Sequence, residues 1–127
     1  MAPAALEHVN VTVDDPERTA RRLCELFGWT IRWKGSAIHD GFTVHVGADD
    51  NYLAVYAKGK PGEPTTESYF TRGGLNHIGV TVDDLDTVEE KVKAMGYTPR
   101  NHADYEPGRR FYFHNEDGIE FEVVSYA

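Results

Sequence analysis

Polar and branched apolar residues alternate from His8 to Val13, with Val9, Val11 and Val13 on one parity and His8, Asn10 and Thr12 on the other. The alternation returns at His77 to Val82, where Ile78, Val80 and Val82 alternate with His77, Gly79 and Thr81. Successive side chains on a strand point to opposite faces, so each stretch predicts a strand with one branched face and one face bearing a histidine. The two stretches are copies. Leu6-Glu7-His8-Val9-Asn10-Val11-Thr12-Val13-Asp14-Asp15 and Leu75-Asn76-His77-Ile78-Gly79-Val80-Thr81-Val82-Asp83-Asp84 agree at seven of ten positions, with a constant offset of 69 (77 − 8). A repeat of this length predicts a tandem architecture.

The period then changes from two to that of a helix. Pro16, Ala20, Leu23 and Phe27 recur at i, i+4, i+7 and i+11, behind the N-cap candidates Asp14 and Asp15 and ahead of Gly28. Leu85, Val88, Val92 and Met95 recur at i, i+3, i+7 and i+10 behind Asp83 and Asp84, and Gly96 closes them. Strand patterns follow each helix. The first half shows them at Trp29 to Trp33, Phe42 to Val46 and Tyr52 to Tyr56; the second shows them at Arg109 to His114 and Ile119 to Ser125. Tyr97 to His102 reads as an edge strand because Pro99 lacks a ladder donor. Gly41, Gly47, Asp49-Asp50-Asn51, Pro107-Gly108 and Asp117-Gly118 punctuate the strands as turns. The expected fold is α+β. Two tandem βαβββ modules, 5–57 and 75–126, form a curved mixed sheet around a cleft with the helices outside. Residues 58–74, rich in proline and glycine, join them as a linker long enough to favour pairing with a second copy, so a homodimer is expected.

Composition narrows the partners. The chain has 127 residues, one domain by length, and a formal charge of −8. That balance argues against nucleic acid or an anionic membrane as partner and leaves a small molecule. One cysteine, Cys24, rules out an intrachain disulfide framework and predicts a buried structural thiol. No apolar run reaches membrane-spanning length, and the start lacks a leader pattern, which predicts a cytoplasmic protein.

The candidate chemistry lies on the polar parity. Two equivalent histidines, His8 and His77, supply two ligands for a divalent ion, and a carboxylate on another strand would complete the set. The last strand offers Glu120 and Glu122 on the parity opposite Phe121 and Val123. Glu122 is flanked by apolar residues on both sides and is favoured; Glu120 is placed nearer the rim. His39 reads as a solvated turn residue, Arg109-Arg110 as a solvated strand end, and Trp33, Tyr52 and Tyr56 as packing residues. His45 is matched with His114 by the 69-residue offset.

With these residues the chain resembles the vicinal oxygen chelate superfamily, which includes glyoxalase I, fosfomycin-resistance enzymes, type I extradiol dioxygenases and bleomycin-resistance proteins. The resemblance rests on His8 in LEHVNVTVDD, His77 in LNHIGVTVDD, and FYFHNEDGIEFEVV, with Glu122 four residues after Gly118. It implies a metal triad of His8, His77 and Glu122 holding Fe, Mn, Zn or Ni. The fourth glyoxalase I position falls at Leu53 or Val55, and no glutamate lies between Glu25 and Glu63, which argues against that enzyme. His102, the Phe111-Tyr112 pair and the Asp117-Gly118 turn follow the order of the dioxygenase signature. They make Tyr112, His102 and His114 the candidate catalytic residues, although Glu116 stands where the signature has proline. Five residues follow Glu122 without the basic side chains that fosfomycin enzymes use there. The resemblance thus implies a metal-dependent lyase, isomerase or oxidoreductase acting on a small oxygen-bearing substrate. The alternative is a metal-free binding protein of the bleomycin-resistance type.

Overall fold

The computed structural model describes residues 2–105 and 108–127. The order of elements is β1 His8–Thr12, α1 Pro16–Phe27, β2 Thr30–Ala37, β3 Gly41–Gly47, β4 Tyr52–Ala57, β5 Ile78–Thr81, α2 Leu85–Ala94, β6 Arg100–Tyr105, β7 Gly108–His114 and β8 Glu120–Ser125, with short 3-10 turns at Ile38–Asp40 and Ser68–Phe70. The chain divides into two compact units, Met1–Gly62 and Glu63–Ala127. Each is a βαβββ module. The mixed sheet is two four-stranded sheets, ordered β1-β4-β3-β2 and β5-β8-β7-β6. In each, the first strand runs parallel to the last and the other neighbours are antiparallel.

The helices start where their carboxylates cap them. Asp15 accepts from the Arg18 amide at 3.2 Å with Pro16 behind it, and Asp84 accepts from the Thr87 amide at 3.1 Å and the Thr87 hydroxyl at 2.7 Å. Those bonds favour the ionised form and hold the Asp84 carboxyl below its ordinary range, the hydroxyl contact contributing most. Gly28 ends α1 at φ 70°, where a side chain would be strained, and its N–H returns to the Cys24 carbonyl at 2.9 Å.

Each unit buries its own core between helix and sheet. In the first, Ala20, Leu23 and Leu26 of α1 are buried together with Val44, Val46, Leu53 and Val55 of β3 and β4. In the second, Leu85, Val88 and Val92 of α2 are buried with Phe111, Phe113, Phe121 and Val123 of β7 and β8. Cys24 is half-buried, and partial burial pushes its thiol above the ordinary range, which slows its reactions.

Local details depart from expectation at the sheet edges. β2 runs to Ala37, past the expected Trp33, and a register shift lies between Ile31 and Trp33. It then turns through His39 and Asp40, both exposed and left-handed at φ 59° and 60°. The second edge strand, β6, begins at Arg100, beyond Pro99, and is bulged at Asn101, where φ is 53°. Of the expected Pro107-Gly108 turn, Pro107 lies outside the described residues. The expected 58–74 linker is largely part of the second unit, which begins at Glu63.

Candidate functional site

Strand pairing fixes which side chains share the helix-free face of each sheet, and it revises the alignment of the repeats. His8 sits opposite Tyr52 and Asn10 opposite Ala54, whereas Gly79, the counterpart of Asn10, sits opposite Glu122. Ala54 is therefore the first-unit counterpart of Glu122, at an offset of 68. Leu53 and Val55, the expected occupants, are buried on the helix side. On the neighbouring strand His45 pairs with Ala54 and Tyr112 with Glu122, so His45 matches Tyr112 at an offset of 67, and not His114. The connections preceding these strands differ in length, which the offset of the first strands does not reveal.

The first unit's face is an aromatic row drawn from four strands. His8 stacks on Tyr52 at 5.0 Å, Tyr52 on His45 at 4.5 Å, and Trp33 lies 5.1 Å from His45. The Arg32 guanidinium lies 4.8 Å from the Tyr52 ring centre. Burial first, then the neighbouring His8 and Arg32, hold His45 below its ordinary pKa, which keeps it neutral at neutral pH. His8 Nδ1 is 2.9 Å from Glu7 Oε1. With Nδ1 committed to Glu7, a neutral imidazole keeps its lone pair on Nε2.

The second unit's face is charged. His77 Nε2 lies 3.1 Å from Glu122 Oε1. The other carboxylate oxygen of Glu122 accepts from Arg110 Nη1 at 2.7 Å. Glu120, expected at the rim, is as covered as its neighbour, 12% against 14% exposed. It accepts from the Tyr69 hydroxyl and lies 3.8 Å from His114 Nε2. Tyr69 Oη also meets His77 Nδ1 at 3.0 Å. The hydrogen bond to Glu120 is the main reason the Tyr69 hydroxyl is pushed up to about 12, so it stays protonated at neutral pH. The Tyr112 ring stands edge-on to His77 at 5.7 Å.

Of the expected residues, the second unit brings His77, Glu122, Tyr112 and His114 onto one face. His8 holds the equivalent position in the first unit. His102 goes elsewhere. The β6 bulge turns it to the helix side, where Nε2 is 2.8 Å from Glu89 of α2 and the ring stacks on buried Phe111 at 6.0 Å. Within neither unit do three His, Cys, Asp or Glu side chains, among the described residues, gather closely enough to hold an ion by themselves.

Two residues of this face, Arg110 and Tyr69, escape the sequence pattern, and a third, Glu120, lies deeper than it predicts. The sequence predicts Arg110 as a solvated strand end, yet its side chain is 12% exposed against Glu122; of the pair only Arg109 is exposed, bonded to Asp86 at 2.9 Å. The signal was present, since Arg110 shares the parity of Tyr112. Glu120 was readable by parity but not by depth. Tyr69 lies in an aperiodic stretch that offers no pattern to read.

Comparison with known proteins agrees with this architecture. A family model described as the Glyoxalase/Bleomycin resistance protein/Dioxygenase superfamily matches residues 5–123. No curated protein matches the chain. Among solved structures, a glyoxylase/bleomycin resistance protein/dioxygenase domain from Frankia sp. is 22% identical, covers 98% of both chains and superposes with a TM-score of 0.81. An antibiotic-binding protein from a Streptomyces species is 19% identical over 100% of this chain and 99% of its own, with a TM-score of 0.75. A variant of the fosfomycin resistance protein of Listeria monocytogenes, complexed with Mn(II) and 1S,2S-dihydroxypropylphosphonic acid, is 19% identical over 97% and 93%, with a TM-score of 0.72. No helix of the described residues is long and apolar enough to cross a membrane.

Proposed function

The chain belongs to the Glyoxalase/Bleomycin resistance protein/Dioxygenase superfamily, and on that premise we propose that it is a metal-dependent enzyme acting on a small oxygen-bearing substrate. The observation that carries the reading is the 3.1 Å between His77 Nε2 and Glu122 Oε1. Two donor atoms bound at 2.0–2.2 Å to one ion, at ordinary tetrahedral or octahedral angles, lie about 3.0–3.5 Å apart. The pair thus fits two adjacent ligand positions, and His8 is proposed as the third. Its Nδ1 contact with Glu7 supports this, because ligand histidines usually commit their second nitrogen to such a partner. A divalent ion held there (Fe, Mn, Zn or Ni) supplies Lewis acidity toward a substrate oxygen. Arg110 holds the other Glu122 oxygen and so fixes the rotamer of the ligand carboxylate. Tyr112, edge-on to His77, orients the substrate, and His114, whose Nε2 lies 3.8 Å from Glu120, serves as the proton-transfer group. His102 takes no part, being held by Glu89 on the helix side.

Titration calorimetry at neutral pH with Mn(II), Zn(II), Ni(II) and anaerobic Fe(II) tests the proposal, together with metal analysis of protein purified without chelator. Saturable binding of one ion per chain is expected. No uptake of any of the four would overturn the enzyme reading.

The second reading, a metal-free binding protein, is favoured by the aromatic row His8, Tyr52, His45 and Trp33 on the first unit. Such a row suits contact with a planar ligand. A homodimer belongs to either reading, since Leu6 and Phe70 stand 79% and 92% exposed in the single chain. Light scattering at micromolar concentration should return twice the 14.3 kDa chain mass; a monomer mass would refute it.

A further inference from the structure

Tyr69 and Glu120 belong to neither the expected triad nor the expected catalytic set, yet they meet His77 on the side away from Glu122. We infer that Tyr69 and Glu120 form a positioning pair that fixes the proton of His77 on Nδ1 and turns the Nε2 lone pair toward Glu122, the ion position proposed above.

The argument is an accounting of hydrogens. A tyrosine hydroxyl has one proton and two lone pairs. Tyr69 gives its proton to Glu120, whose ionised carboxylate can only accept. The same Tyr69 oxygen lies 3.0 Å from His77 Nδ1 and has only lone pairs left to offer. The ring nitrogen must therefore donate, so Nδ1 carries hydrogen. In the neutral ring Nε2 then carries the lone pair, and it faces Glu122 Oε1 at 3.1 Å. Two lone pairs held at that distance call for a cation between them. Glu120 is 88% covered, so its demand for a donor is hard for water to satisfy, which keeps the tyrosine proton on its side. Tyr69 itself is 57% exposed, so little packing is lost when its hydroxyl is removed.

This inference rests on the metal reading for its purpose, but its test does not. Nitrogen-15 NMR of chain labelled at histidine reports which His77 nitrogen bears hydrogen without any metal present. In the wild type at pH 8 the pattern should be that of an Nδ1–H ring. In Tyr69→Phe it should move to the Nε2–H form, because Glu122 Oε1 at 3.1 Å from Nε2 is then the ring's nearest acceptor, Glu120 Oε1 lying 3.7 Å from Nδ1. Glu120→Gln retains an oxygen that accepts from Tyr69 and should keep the wild-type pattern; Glu120→Ala should follow Tyr69→Phe. Competition against a chromophoric chelator with Mn(II) should show affinity falling roughly 10–100-fold in Tyr69→Phe and Glu120→Ala. An unchanged His77 pattern in Tyr69→Phe would overturn the inference. The expected change in Tyr69→Phe, together with a wild-type protein that takes up no ion, would uphold the inference and sink the metal reading alone.

Discussion

A Phe113→Ala variant is expected to lose about 3–5 kcal/mol of stability. The ring is fully buried, stacked on Phe121 at 5.3 Å and on Tyr97 at 5.5 Å, with Phe111 at 6.4 Å. Truncation removes the middle of this cluster. The cavity cannot close readily, because Phe113 and Phe121 are cross-strand partners held by a continuous ladder between β7 and β8. β7 also carries Tyr112 and His114, and β8 carries Glu120 and Glu122, all on the opposite, charged face, so the loss reaches that face. Phe113→Leu keeps most of the volume and should cost under about 1.5 kcal/mol. Urea unfolding measures both. A midpoint for Phe113→Ala within 1 kcal/mol of wild type at unchanged slope would mean the cluster is not the core of this unit.

Both βαβββ modules were legible because their signals are local. Alternation at His8 and His77, helical spacing behind Asp15 and Asp84, and the closing Gly28 depend on residues within one turn or one strand of each other. Edge strands were the weaker part. β2 continued past its apolar run because an exposed edge needs no apolar face, and β6 slid beyond Pro99 to the first residue able to donate. Register was the main loss. One constant offset describes β1 and β5 but drifts to 68 and 67 on the strands that follow. That drift decides whether Ala54 or a buried neighbour stands opposite the position of Glu122. It shows that the two units kept one scaffold and diverged on the helix-free face. Where the second unit places Tyr112 beside Glu122, the first places His45 beside Ala54. The candidate site was legible at His77 and Glu122, whose parity and flanks mark them. Tyr69 reaches His77 and Glu120 from a short turn outside the strands and helices, and a contact of that kind leaves no trace in a pattern of hydrophobic and polar positions.

Glu122→Gln is expected to abolish tight metal binding while leaving the second unit folded. Glu122 uses its two oxygens separately: Oε2 accepts from Arg110, and Oε1 faces His77 and the proposed ion. Glutamine is isosteric and keeps one oxygen, which can still accept from the Arg110 guanidinium. It loses the charge and one acceptor. The stability change should be about 1 kcal/mol, one weakened hydrogen bond to a charged group. The affinity change should be far larger, because the proposed carboxylate ligand is lost outright. It should exceed the roughly 10–100-fold that removal of an outer partner costs. Glu122→Ala separates the two effects. Arg110 is only 12% exposed, and alanine leaves its guanidinium without the carboxylate. Breaking a buried pair from one side costs about 3–5 kcal/mol, and the slight solvent access of both partners places this one near the lower end. Chelator competition with Mn(II) and urea unfolding, run on the two variants beside Glu120→Gln, give the comparison. The expected order of metal affinity is wild type close to Glu120→Gln, with both Glu122 variants far below. If Glu122→Gln and Glu120→Gln weaken binding equally, Glu122 is no ligand, and its pairing with Arg110 is a structural feature of the sheet.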